Sequence, residues 1–155
     1  MSRKALAMAA ALAAGFLWVP SVQAEEMATG PGLKLTNVVV YVDDQDEALR
    51  WYTEKLGLEK RVDQKFGEGE RWLTVAAKGT DLELTLQKAK PGDKQTLGPG
   101  NRWVFSTDDC QKAYETLKAR GVEFAAPPKS QPWGVQAVFK DPFGNQFYLV
   151  GNPQG

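Results

Sequence analysis

The sequence predicts an α+β fold in which two β-α-β-β-β units form curled mixed sheets around a groove. Three observations carry that expectation. The stretch 35–60, LTNVVVYVDDQDEALRWYTEKLGLEK, sets out a strand, a turn, a helix and a helix stop in succession. A shift of 65 positions, from 37 to 102, lays NVVVYVDD on RWVFSTDD, and a second helix stop follows at Gly121. Behind each copy, three further strand-like runs are separated by turn residues. An internal repeat of this kind implies that matching residues occupy matching places in two copies of one unit.

The elements can be justified in chain order. The run 38–42 is β-branched and aromatic, too short for an ordinary helix, and ended by Asp43-Asp44. Asp44 followed three residues on by Glu47 is an acidic capping-box arrangement, and Ala48, Leu49, Trp51, Tyr52 and Leu56 then recur at helical spacing. Gly57 stops that helix. Strands are expected over 59–64, 71–77 and 82–88, with turns at 66–70 and 78–81. The stretch 90–100, KPGDKQTLGPG, reads as the connector between units. The second unit repeats the order: a strand from Asn101, a helix over 109–120, a strand over 122–125, a proline-rich loop over 127–132, and strands over 134–140 and 146–150. The last two strands flank Asp141-Pro142-Phe143-Gly144-Asn145, in which Pro presets one turn dihedral and Gly supplies the left-handed one.

Composition and the chain start bound the rest. Arg3 and Lys4 precede an apolar run over 5–19 and Ala24, the pattern of a cleaved signal peptide over 1–24. The run is shorter than the roughly twenty residues needed to span a bilayer. The expected organisation is a signal peptide at 1–24, a flexible linker at 25–32, one domain at 33–150 built of units 33–90 and 101–150, and a tail at 151–155. The mature protein is then expected in the periplasm or secreted, with no membrane insertion after signal removal. That cleavage takes two of the 19 basic residues and none of the 19 acids, leaving a net charge of −2, which invites no nucleic acid. Cys110 is the single cysteine, so no internal disulfide can form. It falls in a helical first turn, where a thiol pKa is lowered, although free cysteines are commonly buried. The chain has no histidine, which excludes Ser-His-Asp and Cys-His catalysis and any His-ligated metal.

Strand alternation assigns the faces. Val38, Val40 and Val42 pack under the first helix, so Asn37, Val39 and Tyr41 face the other way. Leu82, Leu84 and Leu86 face the helix, leaving Glu83, Thr85 and Gln87 on the concave side. By the repeat, Arg102, Val104 and Ser106 match the first concave set, and Tyr148 and Val150 the second. Trp51, Tyr52 and Trp103 are expected in the core, and Phe66, Trp72 and Trp133 near the groove rim.

The repeated unit, the segment VDDQDEALRWYTEKLGLEK, the LKARGVEF stretch and the closing DPFGNQFYLV together resemble the vicinal oxygen chelate superfamily. That superfamily includes glyoxalase I, extradiol dioxygenases, fosfomycin-resistance enzymes and bleomycin-resistance proteins. The resemblance implies metal-ligand positions in the first and last strands of each unit, carried here onto Asn37, Glu83, Arg102 and Tyr148. Asn37 to Arg102 and Glu83 to Tyr148 are both 65 residues apart. Only Glu83 is an ordinary ligand, and Arg102 brings a permanent cation. A divalent ion about 4 Å from a guanidinium would meet several kcal/mol of repulsion at intermediate dielectric. The expectation is therefore no metal and no cofactor, with Glu83 the sole candidate base and other catalytic residues unknown. The ligand-binding set is Asn37, Tyr41, Glu83, Arg102, Tyr148, Trp72 and Trp133. The favoured reading is an exported protein binding a small, partly aromatic or anionic molecule. The alternatives are a glyoxalase- or dioxygenase-type lyase, isomerase or oxygenase, and a protein-interaction module of the envelope. The resemblance also implies a homodimer.

Overall fold

The computed structural model describes residues 33–90 and 103–152. The expected signal peptide and linker, most of the tail, nearly all of the connector, and Arg102 lie outside the described residues, while Gly151, expected in the tail, is the last residue of the final strand. The first unit contains β1 (Asn37–Val42), α1 (Gln45–Glu54), β2 (Glu59–Phe66), β3 (Glu70–Ala76) and β4 (Glu83–Lys88). The second contains β5 (Trp103–Thr107), α2 (Cys110–Ala119), β6 (Glu123–Gln131), β7 (Gly134–Lys140) and β8 (Gln146–Gly151). Each unit forms its own four-stranded sheet, in the orders β1-β4-β3-β2 and β5-β8-β7-β6. In both, the first strand pairs in parallel with the last and the other pairings are antiparallel. The repeat in the sequence is thus a repeat in topology.

Local chemistry accounts for the helices. The Asp44 carboxylate accepts hydrogen bonds from the backbone N–H groups of Asp46 and Glu47, which holds it below the usual carboxylate range. Asp109 caps α2 in the same way through the Lys112 N–H. Gly57 and Gly121, just past the two helices, have φ of +75° and +84°, the left-handed backbone that ends a helix. α1 is also tied to its sheet by Arg71, whose guanidinium lies 2.7 Å from both Asp63 and Asp46.

The helix-side faces of both sheets contribute to one core. Val40, Val42, Tyr52, Leu73 and Leu86 of the first unit share it with Phe139, Phe147 and Leu149 of the second. Tyr52 meets Phe147 edge-on at 6.2 Å, and Phe139 stacks on Phe147 at 5.2 Å. Full burial of side chains this large stabilises by about 1.5–3 kcal/mol each. Trp51 and Trp103 pack partly buried against the same core, as alternation and helical spacing suggested. The Trp103 indole Nε1 is buried with no hydrogen-bond partner among the described residues.

Three expectations are corrected. The proline-rich stretch 127–132 is not a loop, since β6 runs through Pro127 and Pro128 to Gln131. β6 is an edge strand, and its register with β7 jumps from Ala126↔Val138 to Lys129↔Gln136, so the prolines sit where no ladder bond is required. Leu82 precedes β4 and is largely exposed instead of facing the helix. Cys110 follows the burial common to free cysteines: it is almost fully buried, burial raises its thiol pKa, and its Sγ donates to the Leu149 carbonyl at 3.6 Å. The last correction concerns spacing. Asn37 lies opposite Glu83, but Tyr148 lies opposite Val104, two residues beyond Arg102. With β1 matched to β5 through the helix caps, the strand registers make Thr85 the counterpart of Tyr148, and Gln146 that of Glu83. The β3–β4 turn spans residues 77–82 against 141–145 for the β7–β8 turn, and a second one-residue slip falls between the helices and Gly57 and Gly121.

Candidate functional site

Because the helix-side faces share the core, the opposite, inner faces of the two sheets are available to a ligand. On the first sheet, register sets Asn37 beside Glu83, Val39 beside Thr85 and Tyr41 beside Gln87, with Thr74 of β3 next to Thr85. The Asn37 Nδ2 donates to the Thr85 hydroxyl at 3.4 Å, and Thr74 and Thr85 are buried. No described residue pairs with the Glu83 carboxylate. Trp72 lies two residues before Thr74 on β3, exposed like Val39.

The second inner face forms a shallow, open cavity of about 550 Å³, lined by Val104, Trp133, Gln136, Tyr148 and Val150. Strand pairing explains the grouping. Val104, Tyr148 and Val138 lie side by side across β5, β8 and β7, and Ser106, Val150 and Gln136 form the next row. Trp133 sits in the tight β6–β7 hairpin and donates its indole N–H to the Gln136 side-chain oxygen at 3.3 Å. The site offers a flat aromatic wall, two valines, an amide and a phenol hydroxyl. Such a lining holds a partly aromatic molecule and orients it by a few hydrogen bonds.

Of the expected site residues, the cavity brings together Trp133 and Tyr148. Asn37, Tyr41, Glu83 and Trp72 belong to the first sheet and are not part of its lining. Gln136 was missed by sequence reasoning, although alternation along 134–140 places it on the same side as Val138.

The donor chemistry does not suit a divalent metal. Among the described residues no three His, Cys, Asp or Glu side chains cluster. Glu83 stands beside Asn37, and Tyr148 beside Val104. A carboxylate and an amide are too few strong donors for the four- to six-coordinate sites of zinc, iron or manganese. Nor is any helix among the described residues long and apolar enough to cross a membrane.

Comparison with known proteins agrees with this geometry. The family model of the Glyoxalase/Bleomycin resistance protein/Dioxygenase superfamily matches residues 34–149. The uncharacterized protein YetH of Bacillus subtilis is 36% identical over 118 residues, which cover 75% of this chain and 96% of YetH. Among solved structures, TnmS3, an antibiotic binding protein from Streptomyces sp. CB03234, is 36% identical with a TM-score of 0.68, covering 77% of this chain and 96% of TnmS3. A superfamily member from Sphaerobacter thermophilus is 33% identical with a TM-score of 0.67, covering 77% and 98% respectively. By the extent of the family match, the repeated topology and the identity to these relatives, the chain belongs to the Glyoxalase/Bleomycin resistance protein/Dioxygenase superfamily.

Proposed function

We propose that the protein binds a small, partly aromatic or anionic molecule on its inner faces and acts by sequestering it, without a metal. The observation that carries this reading is the cavity over the second sheet, where Trp133, Tyr148 and Gln136 converge among valines. The 36% identity to an antibiotic binding protein supports it. The sequence pattern supports Arg102, outside the described residues, as the cation for a carboxylate or phosphate on the ligand. In this reading the exposed apolar residues of the inner faces, Val39 and Trp72 on one and Val104 and Trp133 on the other, are covered in a homodimer. The charged start, short apolar core and Ala24 support export with loss of residues 1–24.

Titration calorimetry with a panel of planar aromatic antibiotics tests the binding reading. A member of the panel is expected to bind with micromolar or better affinity. Trp133→Ala is expected to weaken it, and Arg102→Ala to cost about 2–5 kcal/mol if the guanidinium meets an anionic group directly. Unchanged affinity in both variants would remove the inner face from the function. One equivalent of zinc, nickel, iron or manganese per chain, found by elemental analysis of protein purified without chelator, would overturn the metal-free reading. Intact mass of the periplasmic protein reports cleavage, and light scattering on a sizing column reports the dimer.

A further inference from the structure

We infer that the chain carries a second binding site, on the helix side of the second unit, for a small flat aromatic molecule with polar groups along one edge. The two units pack against each other about a pseudo-twofold, and the C-terminal ends of their helices meet, with the Arg120 guanidinium donating to the Lys55 carbonyl at 3.2 Å. On one side of that axis the space beside the helix is filled. Tyr52, the eighth residue of α1, is fully buried and donates its hydroxyl to the Asp141 carboxylate at 2.8 Å. The Asn145 Nδ2 donates to the Tyr41 carbonyl at 2.9 Å, on the β1 edge not paired with β4, and the rings of Trp51 and Phe143 pack against the core.

On the other side the corresponding residues are small. The eighth residue of α2 is Leu117, and Thr116 takes the place of Trp51. Ala77, one residue past β3, takes the place of Asp141, one residue past β7. Ser106, three residues before its helix cap, takes the place of Tyr41. All four of these replacements line a cavity of about 540 Å³, whose other walls include Phe105, Phe139 and Leu149. The β3–β4 turn does not fill it, because the Thr80 hydroxyl bonds back to Ala77 and Leu82 within its own turn.

The filled side indicates what kind of molecule fits the empty one. There, aromatic rings occupy the apolar volume and an amide N–H satisfies the strand-edge carbonyl. A ligand therefore needs a flat ring system against Phe105 and Phe139 and a donor for the Ser106 carbonyl. At the mouth, Lys112 and Arg120 pair with no carboxylate among the described residues, while Asp108 and Asp109 stand beside them. That balance suits one acidic or hydroxyl group on the ligand and disfavours a polyanion.

The test uses the full chain and 8-anilinonaphthalene-1-sulfonate, an aromatic probe with a flat naphthalene ring and one anionic group, followed by fluorescence titration. The wild type is expected to bind one probe per chain in this cavity, in addition to any held on the inner face. Thr116→Trp restores the bulk of the filled side at an exposed helix position and is expected to weaken the probe by about tenfold or more, with circular dichroism and unfolding midpoint retained. Leu117→Trp acts from deeper in the same cavity and should do the same. Trp133→Ala, which alters the inner face, removes only probe held there and should leave the affinity of the probe bound beside α2 within about twofold. Retained affinity in a folded Thr116→Trp variant would overturn the site. So would loss of affinity in Trp133→Ala, which would place the probe on the inner face alone. Where Leu117→Trp fails to fold, Thr116→Trp, at an exposed position, decides the matter by itself.

Discussion

The two sides of the pseudo-twofold differ in a way that separates what holds the units together from what leaves room. On the filled side a buried carboxylate, Asp141, accepts from the Tyr52 hydroxyl, the Asn145 side-chain and backbone N–H groups and the Phe143 N–H, at 2.7–2.9 Å. No cation is needed, because four donors replace its hydration. On the other side Leu117 and Ala77 have no polar group to join, and the apolar surfaces stand apart. The same fold, written twice, thus makes one polar joint and one open cavity. The contrast shows that topology sets where the units meet, and a few side-chain identities set whether the meeting is tight.

The largest expected effect comes from converting the tight side into the loose one. Tyr52→Leu is expected to destabilise the protein by about 3 kcal/mol in urea unfolding, through a lost aromatic contact and a buried carboxylate deprived of a donor. Asp141→Ala should cost about as much. The double variant, which copies the Leu117 and Ala77 side, should cost clearly less than the sum, because no partner is stranded. Strict additivity would mean that the pair is not a joint.

A smaller effect of opposite sign is expected on the loose side. Leu117→Phe should raise stability by about 1 kcal/mol, as cavity filling commonly does. A fall in the unfolding midpoint would show that the cavity walls have already settled into an arrangement that excludes the added ring.

The smallest effect concerns acid. Arg71 beside Asp63 holds that carboxyl at about 2, down from 3.8, and the second unit has no counterpart of this cluster. The folded value is below the unfolded one, so the stabilisation is present above pH 3.8 and is lost as pH falls toward 2. Asp63→Asn should flatten the acid side of the stability curve between those limits, by an amount reduced by solvent screening. Asp141 acts in the opposite direction. Burial raises its pKa, so its stabilising contribution is greatest at low pH and fades as pH rises through the raised value. Acid unfolding that vanished in Asp141→Ala and persisted in Asp63→Asn would reverse this assignment.

Features set by neighbouring residues were legible in the sequence. The caps at Asp44 and Asp109, the stops at Gly57 and Gly121 and the two faces of β1 follow from chemistry within one or two turns of chain. Features set at a distance were not. β6 runs through Pro127 and Pro128 because it lies at a sheet edge, and edge position is a property of the whole sheet. Glu83 was matched with Tyr148 on equal spacing, yet one extra residue after the first helix and one more in the β3–β4 turn move that counterpart two positions, to Thr85. The Asp141 carboxylate looked like turn chemistry alone. Its role between units depends on Tyr52, 89 residues away. On the candidate site, alternation correctly put Tyr148 and Val104 on one face, while Gln136 entered only through the register of a third strand.

The separation of the two sheets also bears on how the chain could be divided. Every ladder bond among the described residues falls within one unit, and the contacts between units are made by side chains and a few strand-edge groups. A nick between Lys90 and Trp103 would therefore sever no pairing of strands. The halves are suited to fragment complementation: expressed as separate polypeptides, they would be recognised by the Tyr52–Asp141 contact and the shared phenylalanine core, and Tyr52→Leu in one half should abolish their reassembly.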